Sequence, residues 1–108
     1  SDSIRSDTIG VASFLRTMEF DAWLRALRDP VGKARILARI RSAEAGNFGD
    51  CTPVGDGISE MRIHAGPGYR VYYCRRGAVV YLLLCGGDKS SQQRDIRMAK
   101  ALVAGLED

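Results

Sequence analysis

The segment 57–95 constrains the fold of this chain more than any other part of it. It contains three runs with the composition of β-strands, GISEMRIH, YRVYYCRR and AVVYLLLC, joined by two short links that contain glycine. The links at 65–68 and 76–77 predict tight hairpin loops, so the three runs are expected to form an antiparallel sheet. The third run is apolar at every position, which is typical of a central strand with both faces covered.

Alternation along the first two runs divides their side chains between two faces of the sheet. One face is apolar and is expected to lie on the core. The other is expected to be partly open and to carry Glu60, Arg62, His64, Arg70 and Tyr72. Arg62 and Arg70 would then lie on neighbouring strands of one face, where they repel each other unless an anion or a carboxylate lies between them.

The remaining elements are predicted from helical spacing and from turn residues. Apolar residues at helical spacing predict a helix over 18–28, which Thr17 can cap. Asp29-Pro30 is a typical start for a second helix over 31–45. The two form an antiparallel hairpin that follows a weak strand at 9–15. The segment 48–56 is expected to be a loop, and Ser90 or Ser91 is expected to begin a final helix.

The predicted fold class is therefore α+β, in the order β-α-α-β-β-β-α. We expect a mostly antiparallel four-stranded sheet, with the N-terminal helical hairpin and the C-terminal helix packed on one face. The 108 residues are expected to form one domain, with residues 1–8 flexible.

Composition narrows the class of function. Lys and Arg number 16 against 13 Asp and Glu, and 13 of the 16 are arginine, whose planar guanidinium suits phosphate. The three cysteines and the single histidine, His64, have no zinc-site spacing, so neither a metal nor another cofactor is expected. No apolar run is long enough for a membrane span, and no signal peptide is expected, which favours the cytoplasm.

The open face is the candidate site. Over 60–97, seven basic residues face three acidic ones, and basic side chains beside the aromatic Tyr72 suit single-stranded nucleic acid. The alternative is purely structural: Arg62 pairs with Glu60, and Arg70 pairs with Asp95, to stabilise the fold.

Four segments carry a resemblance to a known family: TMEFDAWLRALRD, ARILARIRSAEAGNFGD, VGDGISEMRIHAGPGYRVYY and LLLCGGDKSSQQRDIRMAKAL. In this order they resemble the addiction-module killer proteins of the RelE/ParE toxin superfamily, in particular its phage-derived and HigB-like branch. The resemblance spans about 17–104. It implies a RelE-like fold and a type II toxin that is neutralised by a protein antitoxin, often of the helix-turn-helix type, through which operator DNA is bound.

The resemblance also implies an activity. RelE-like members cut mRNA on the ribosome without a metal, whereas ParE-like members poison DNA gyrase. A ribosome-dependent mRNA endonuclease is our first hypothesis. The alternatives are a gyrase poison and an inactive member that only binds its antitoxin.

Site residues follow from the same resemblance. Arg70 matches the arginine on the scissile phosphate, Lys89 matches the basic residue after the last strand, and Arg62 occupies a strand position that is often lysine. Glu60, His64 and Asp95 are the acid–base candidates, although Asp95 falls near the position of a tyrosine in several members. Contacts to ribosomal RNA and mRNA are expected from Lys33, Arg35, Arg39, Arg41, Tyr72, Arg75, Gln92 and Arg94.

Overall fold

The computed structural model describes residues 12–106. The elements are β1 (Ser13–Arg16), α1 (Met18–Ala26), α2 (Pro30–Glu44), β2 (Cys51–Gly55), β3 (Ile58–Ile63), β4 (Tyr69–Arg75), β5 (Val80–Asp88), a 3-10 turn (Lys89–Ser91) and α3 (Gln92–Ala104). The predicted flexibility of residues 1–8 and the start of the predicted strand at 9–15 lie outside the described residues. The mixed α+β class is confirmed, and the structure adds one strand to the predicted order, between α2 and β3.

The sheet has five strands in the order β1-β5-β4-β3-β2, and only the β1–β5 pair is parallel. The expectation of four strands is wrong because residues 51–55, predicted as a loop, pair antiparallel with β3. Pro53 hides this strand in the sequence, since proline cannot donate to a ladder. Proline is tolerated here because β2 lies at the sheet edge.

Both N-terminal helices begin at the capping residues that the sequence predicts. The Thr17 hydroxyl accepts a hydrogen bond from the Phe20 amide at 3.0 Å, and Asp29 accepts one from the Gly32 amide at 3.0 Å. Each cap satisfies an amide that has no partner within its helix. Pro30 occupies the first turn of α2, where its missing N–H costs nothing.

Helices cover both faces of the sheet. The α1–α2 hairpin packs on one face, where Phe20, Ile36, Met61, Val71 and Leu83 are buried together. The other face meets α3 in a second core formed by Ile58, Tyr72, Leu84, Cys85 and Ala99. The expectation that all helices lie on one face is wrong, and the face predicted to be open is largely covered by α3. The central place of β5, between β1 and β4, is confirmed.

The close approach of α1 to β5 depends on a glycine. A Cβ atom at Gly86 would lie 2.4 Å from the Trp23 ring, so the indole packs directly on the strand backbone. Trp23 also contacts the rings of Phe20 and Tyr69, with centroids 5.8 and 6.3 Å away. Trp23 is thus a partly buried residue that packs against the core at the junction of α1 with the sheet.

Candidate functional site

A shallow groove of about 330 Å³ lies where β3 ends and β4 begins. We call it the basic groove. It is lined by four of the six predicted catalytic residues, Arg62, His64, Arg70 and Lys89, together with Asp50, Ile63, Gly68 and Tyr69. The residues come from the facing ends of β3 and β4, joined by the hairpin at 65–68, from the turn after β5, and from Asp50 just before β2.

Arg62 and Arg70 form a direct cross-strand pair on one face of the sheet. A different carboxylate compensates each charge. Arg62 Nη2 donates to Asp50 Oδ1 at 3.1 Å and to Thr52 Oγ1 at 2.6 Å. Arg70 Nε lies 3.5 Å from Glu60 Oε2. The predicted structural pairs, Arg62 with Glu60 and Arg70 with Asp95, are therefore wrong.

Glu60 lies beneath the groove rather than in it. Its side chain is buried, and Oε2 accepts hydrogen bonds from the Tyr72 hydroxyl at 3.1 Å and from Gln92 Nε2 at 2.7 Å. Tyr72 is fully buried, so the prediction of an exposed stacking ring is wrong; α3 covers this part of the sheet. Burial, followed by the charge of Glu60, raises the pKa of Tyr72, which keeps its hydroxyl as a proton donor. Gln92, predicted to contact RNA, turns inward.

Asp95 is also buried. The Ser91 hydroxyl donates to Asp95 Oδ2, and Arg94 Nε lies 3.8 Å from Oδ1. Asp95 packs over Gly87 of β5 and does not line the groove. Neither Asp95 nor Glu60 therefore reaches the groove surface in the geometry that a proton-transfer role needs.

An Asp–His pair lies at the rim of the groove. His64 Nε2 is 2.7 Å from Asp50 Oδ2, while the imidazole itself is 76% exposed. The bond to His64, followed by that to Arg62, lowers the pKa of Asp50, so this carboxyl stays ionised in a cationic setting. The sequence pattern predicts a loop over 48–56 and therefore does not point to Asp50. Recognising β2 as the partner of β3 would have placed Asp50 beside Arg62, whose amide donates to the Asp50 carbonyl at 2.9 Å.

The four basic residues predicted on α2 do not share one face. At about 3.6 residues per turn, Lys33 and Arg35 lie on nearly opposite sides of the helix. Arg35 and Arg39 line a second groove of about 320 Å³. Ile63 and His64 line both this groove and the basic groove. Lys33 lines a recess on the outer side of the hairpin, and Arg41 is exposed.

Arg39 is held within the fold. Its Nη1 donates to the Arg62 carbonyl, and Nη2 donates to the Phe48 carbonyl at 2.8 Å. The guanidinium therefore ties α2 to β3 and to the loop before β2. It holds the strand end on which His64 lies.

Two further predicted contact residues lie away from the groove. Arg75 is at the opposite end of β4, five residues or roughly 17 Å from Arg70. Its guanidinium donates to the carbonyls of Gly77 and Ala78 at 2.8 and 2.9 Å, which closes the β4–β5 hairpin. Arg94 is exposed at the start of α3 and lines a recess beside Trp23 and Gly86.

The described residues include no helix that is long and apolar enough to cross a membrane. Within the same range, no group of three or more His, Cys, Asp or Glu side chains is arranged to hold a metal ion.

Comparison with known proteins gives a family and a relative. The family model described as phage-derived protein Gp49-like (DUF891) matches residues 22–103. A protein of Haemophilus influenzae, described only as uncharacterized, is 51% identical over 90 residues, which cover 83% of this chain and 91% of the relative. No solved structure matches the chain. The matched range includes α2, every strand but β1, and all residues of the basic groove.

Proposed function

Because the chain belongs to the phage-derived Gp49-like family, we propose that it is the toxin of a type II toxin–antitoxin system. We further propose that it is a RelE-like, ribosome-dependent mRNA endonuclease that works without a metal. The observation that carries this proposal is the basic groove, where Arg62, Arg70 and Lys89 surround one concave site beside the Asp50–His64 pair.

The proposed reaction is the attack of a ribose 2′-oxygen on the adjacent phosphorus. The P–O5′ bond breaks, leaving a 2′,3′-cyclic phosphate and a 5′-hydroxyl. In this scheme Arg62, Arg70 and Lys89 bind the phosphate oxygens, where negative charge increases in the transition state. Fixed cations stabilise that charge without reorganising during the reaction.

His64 is the proposed proton acceptor for the 2′-hydroxyl. One ring nitrogen of His64 is bonded to Asp50, which leaves the other for the substrate. A proton must also reach O5′ when it leaves. Water or the ammonium of Lys89 supplies it, since Glu60 and Asp95 are buried behind the groove.

The ribosome and a protein antitoxin are the proposed partners. The side of α2 that carries Arg35 and Arg39 continues directly from the basic groove and would contact ribosomal RNA or the flanking message. The antitoxin is expected to be of the helix-turn-helix type, with operator DNA bound only through it. The proposed place of action is the cytoplasm, where translating ribosomes are found.

Primer extension on mRNA from cells expressing the chain tests this function. Discrete cuts in translated messages, absent from a message whose start codon is removed, would support it. Arg70→Ala should abolish the cuts and relieve growth arrest while the protein stays folded, since one preorganised contact contributes about 10²–10³ in rate. Arg97→Ala, which removes an exposed arginine on α3, is the matched control.

Two other outcomes would contradict the nuclease. Intact mRNA together with DNA breaks would indicate a gyrase poison. Intact mRNA with normal growth, in a chain that still binds its antitoxin, would indicate an inactive member of the family.

A further inference from the structure

Two hydrogen-bond donors and one guanidinium, from β4 and α3, converge on one buried oxygen atom, Glu60 Oε2. Gln92 Nε2 of α3 lies 2.7 Å away, the Tyr72 hydroxyl of β4 lies 3.1 Å away, and Arg70 Nε lies 3.5 Å away. Glu60 is 2% exposed and Tyr72 is fully buried. The arrangement belongs to the interior of the protein, although one of its members, Arg70, lines the basic groove.

A buried carboxylate is costly unless an opposite charge and hydrogen bonds compensate it. Arg70 is the cation that Glu60 contacts, and its side chain is only 13% exposed. Arg70 is constrained on a second side, where Nη1 donates to the Gly68 carbonyl at 3.0 Å. Among the described residues, no acceptor bonds to Nη2. The guanidinium is therefore held at two of its nitrogens, and the third is left for a ligand.

We propose that Glu60 is a positioning residue: it fixes the Arg70 guanidinium so that the unbonded Nη2 serves the phosphate site of the basic groove, and Gln92 fixes Glu60 in turn. The inference rests on the proposed function, because it assigns the ligand of Arg70 as a phosphate of single-stranded RNA. It replaces the acid–base role considered for Glu60 from the sequence. An oxygen that accepts two hydrogen bonds and lies against the Arg70 guanidinium has no free approach to a substrate proton.

The variant Glu60→Gln tests this role, because it keeps the shape of the side chain and removes the charge. We expect mRNA cleavage to fall by about tenfold to a hundredfold, since small misplacements of a catalytic group cost that much. Binding of a short single-stranded RNA oligonucleotide should not weaken, because the net charge of the protein rises by one. Glu44→Gln makes the same charge change at the end of α2, away from the groove, and should leave cleavage unchanged.

The pH dependence of cleavage separates positioning from proton transfer. If Glu60 only positions Arg70, the Glu60→Gln variant keeps both limbs of the pH–rate profile, and its cleavage rate is lower at every pH. Loss of one limb would show that Glu60 transfers a proton and would overturn the proposal. Cleavage at the rate of the unmodified protein would overturn it as well.

Gln92→Ala provides a second route that leaves Glu60 charged. It should also lower the rate of mRNA cleavage, by a smaller factor than Glu60→Gln does. Since both changes act through Arg70, the double variant with Glu60→Gln should be no slower than Glu60→Gln alone. Multiplicative effects would mean that Gln92 acts independently of Glu60 and would contradict the proposed chain of contacts.

A readout that does not depend on activity separates this proposal from the nuclease assignment. The Arg70 Nε–H group is buried and close to Glu60, so its NMR signal should be protected from solvent exchange and should lose that protection in Glu60→Gln. If the signal changes as expected but no mRNA is cut, the contact holds and the nuclease function fails. If the signal is unaffected, Glu60 does not position Arg70.

Discussion

The carboxylate of Asp95 lies directly against the backbone of Gly87, where a Cβ atom would be 1.8 Å from Oδ2. Asp95 belongs to the first turns of α3, and Gly87 belongs to β5. The Ser91 hydroxyl donates to the same carboxylate oxygen. The contact fixes the start of α3 on the sheet. That start carries Gln92, whose amide reaches Glu60 beneath the basic groove.

Gly87→Ala should therefore destabilise the protein through overpacking, by about 1–3 kcal/mol. The added methyl group would also lie 2.7 Å from Ser91 Oγ, so the start of α3 must shift. Urea denaturation followed by circular dichroism measures the loss. Removing the opposing side chain should restore part of it, so the effects of Gly87→Ala and Asp95→Ala should not add.

Gly77→Ala is the control for this prediction. A Cβ atom there would lie 3.8 Å from the Val80 Cβ, which is an ordinary contact, so little change in stability is expected. Equal losses at both positions would mean that Gly87 matters for strand conformation and not for the approach of Asp95.

The fold could be predicted from the sequence wherever local pattern determines structure. The caps at Thr17 and Asp29, and the central apolar strand, all follow from residue type and spacing. The strand at 51–55 and the side of the sheet that α3 covers could not be predicted this way. Pro53 masks the strand, and the placement of α3 depends on contacts such as that of Asp95 with Gly87, which have no local signal.

The second prediction concerns Arg39, which joins α2 to the carbonyls of Arg62 and Phe48. Arg39→Ala leaves both carbonyls without this donor and should cost about 1.5–3 kcal/mol, the range for hydrogen bonds to charged groups. Arg41→Ala, at an exposed position on the same helix, should change stability by less than about 0.5 kcal/mol. Comparison of the two urea midpoints is the measurement, and similar midpoints would contradict a structural role for Arg39.

The candidate site was only partly predictable for the same reason. Strand alternation and the family resemblance identified Arg62, His64, Arg70 and Lys89, which the structure brings together. They did not identify Asp50, because its place depends on the pairing of β2 with β3. Alternation placed Glu60 and Tyr72 on the correct face, but it carries no information on whether another element covers that face.

The third prediction is a pH dependence of stability at Asp50. Its pKa is lowered in the fold, first by the bond to His64, so its ionised form contributes stability that is fully present above the unfolded pKa of about 4. That contribution is lost as pH falls through the lower folded pKa. The difference in unfolding free energy between the unmodified protein and Asp50→Asn should thus shrink on acidification from pH 5.

The variant His64→Gln tests the cause of that shift. The hydrogen bond to His64 is the largest cause of the lowered Asp50 pKa. In the His64→Gln background, the loss of unfolding free energy caused by Asp50→Asn should therefore depend less on pH. A difference that stays constant across the acidic range, in either background, would mean that Asp50 is not stabilised in its charged form.

The fourth prediction separates the two sides of α2 by charge reversal. Arg35 lies on the side that continues from the basic groove through His64, whereas Lys33 lines the outer recess of the hairpin. If RNA follows the grooves, Arg35→Glu should weaken ribosome co-sedimentation and growth arrest much more than Lys33→Glu. Both variants change the net charge equally, so nonspecific attraction predicts equal effects.

Repeating the co-sedimentation at several salt concentrations adds a second criterion. The binding of the Arg35 variant should depend less steeply on salt, because fewer phosphate contacts release fewer counterions. Equal losses for the two variants would place the ribosome on the whole hairpin instead of on the groove side.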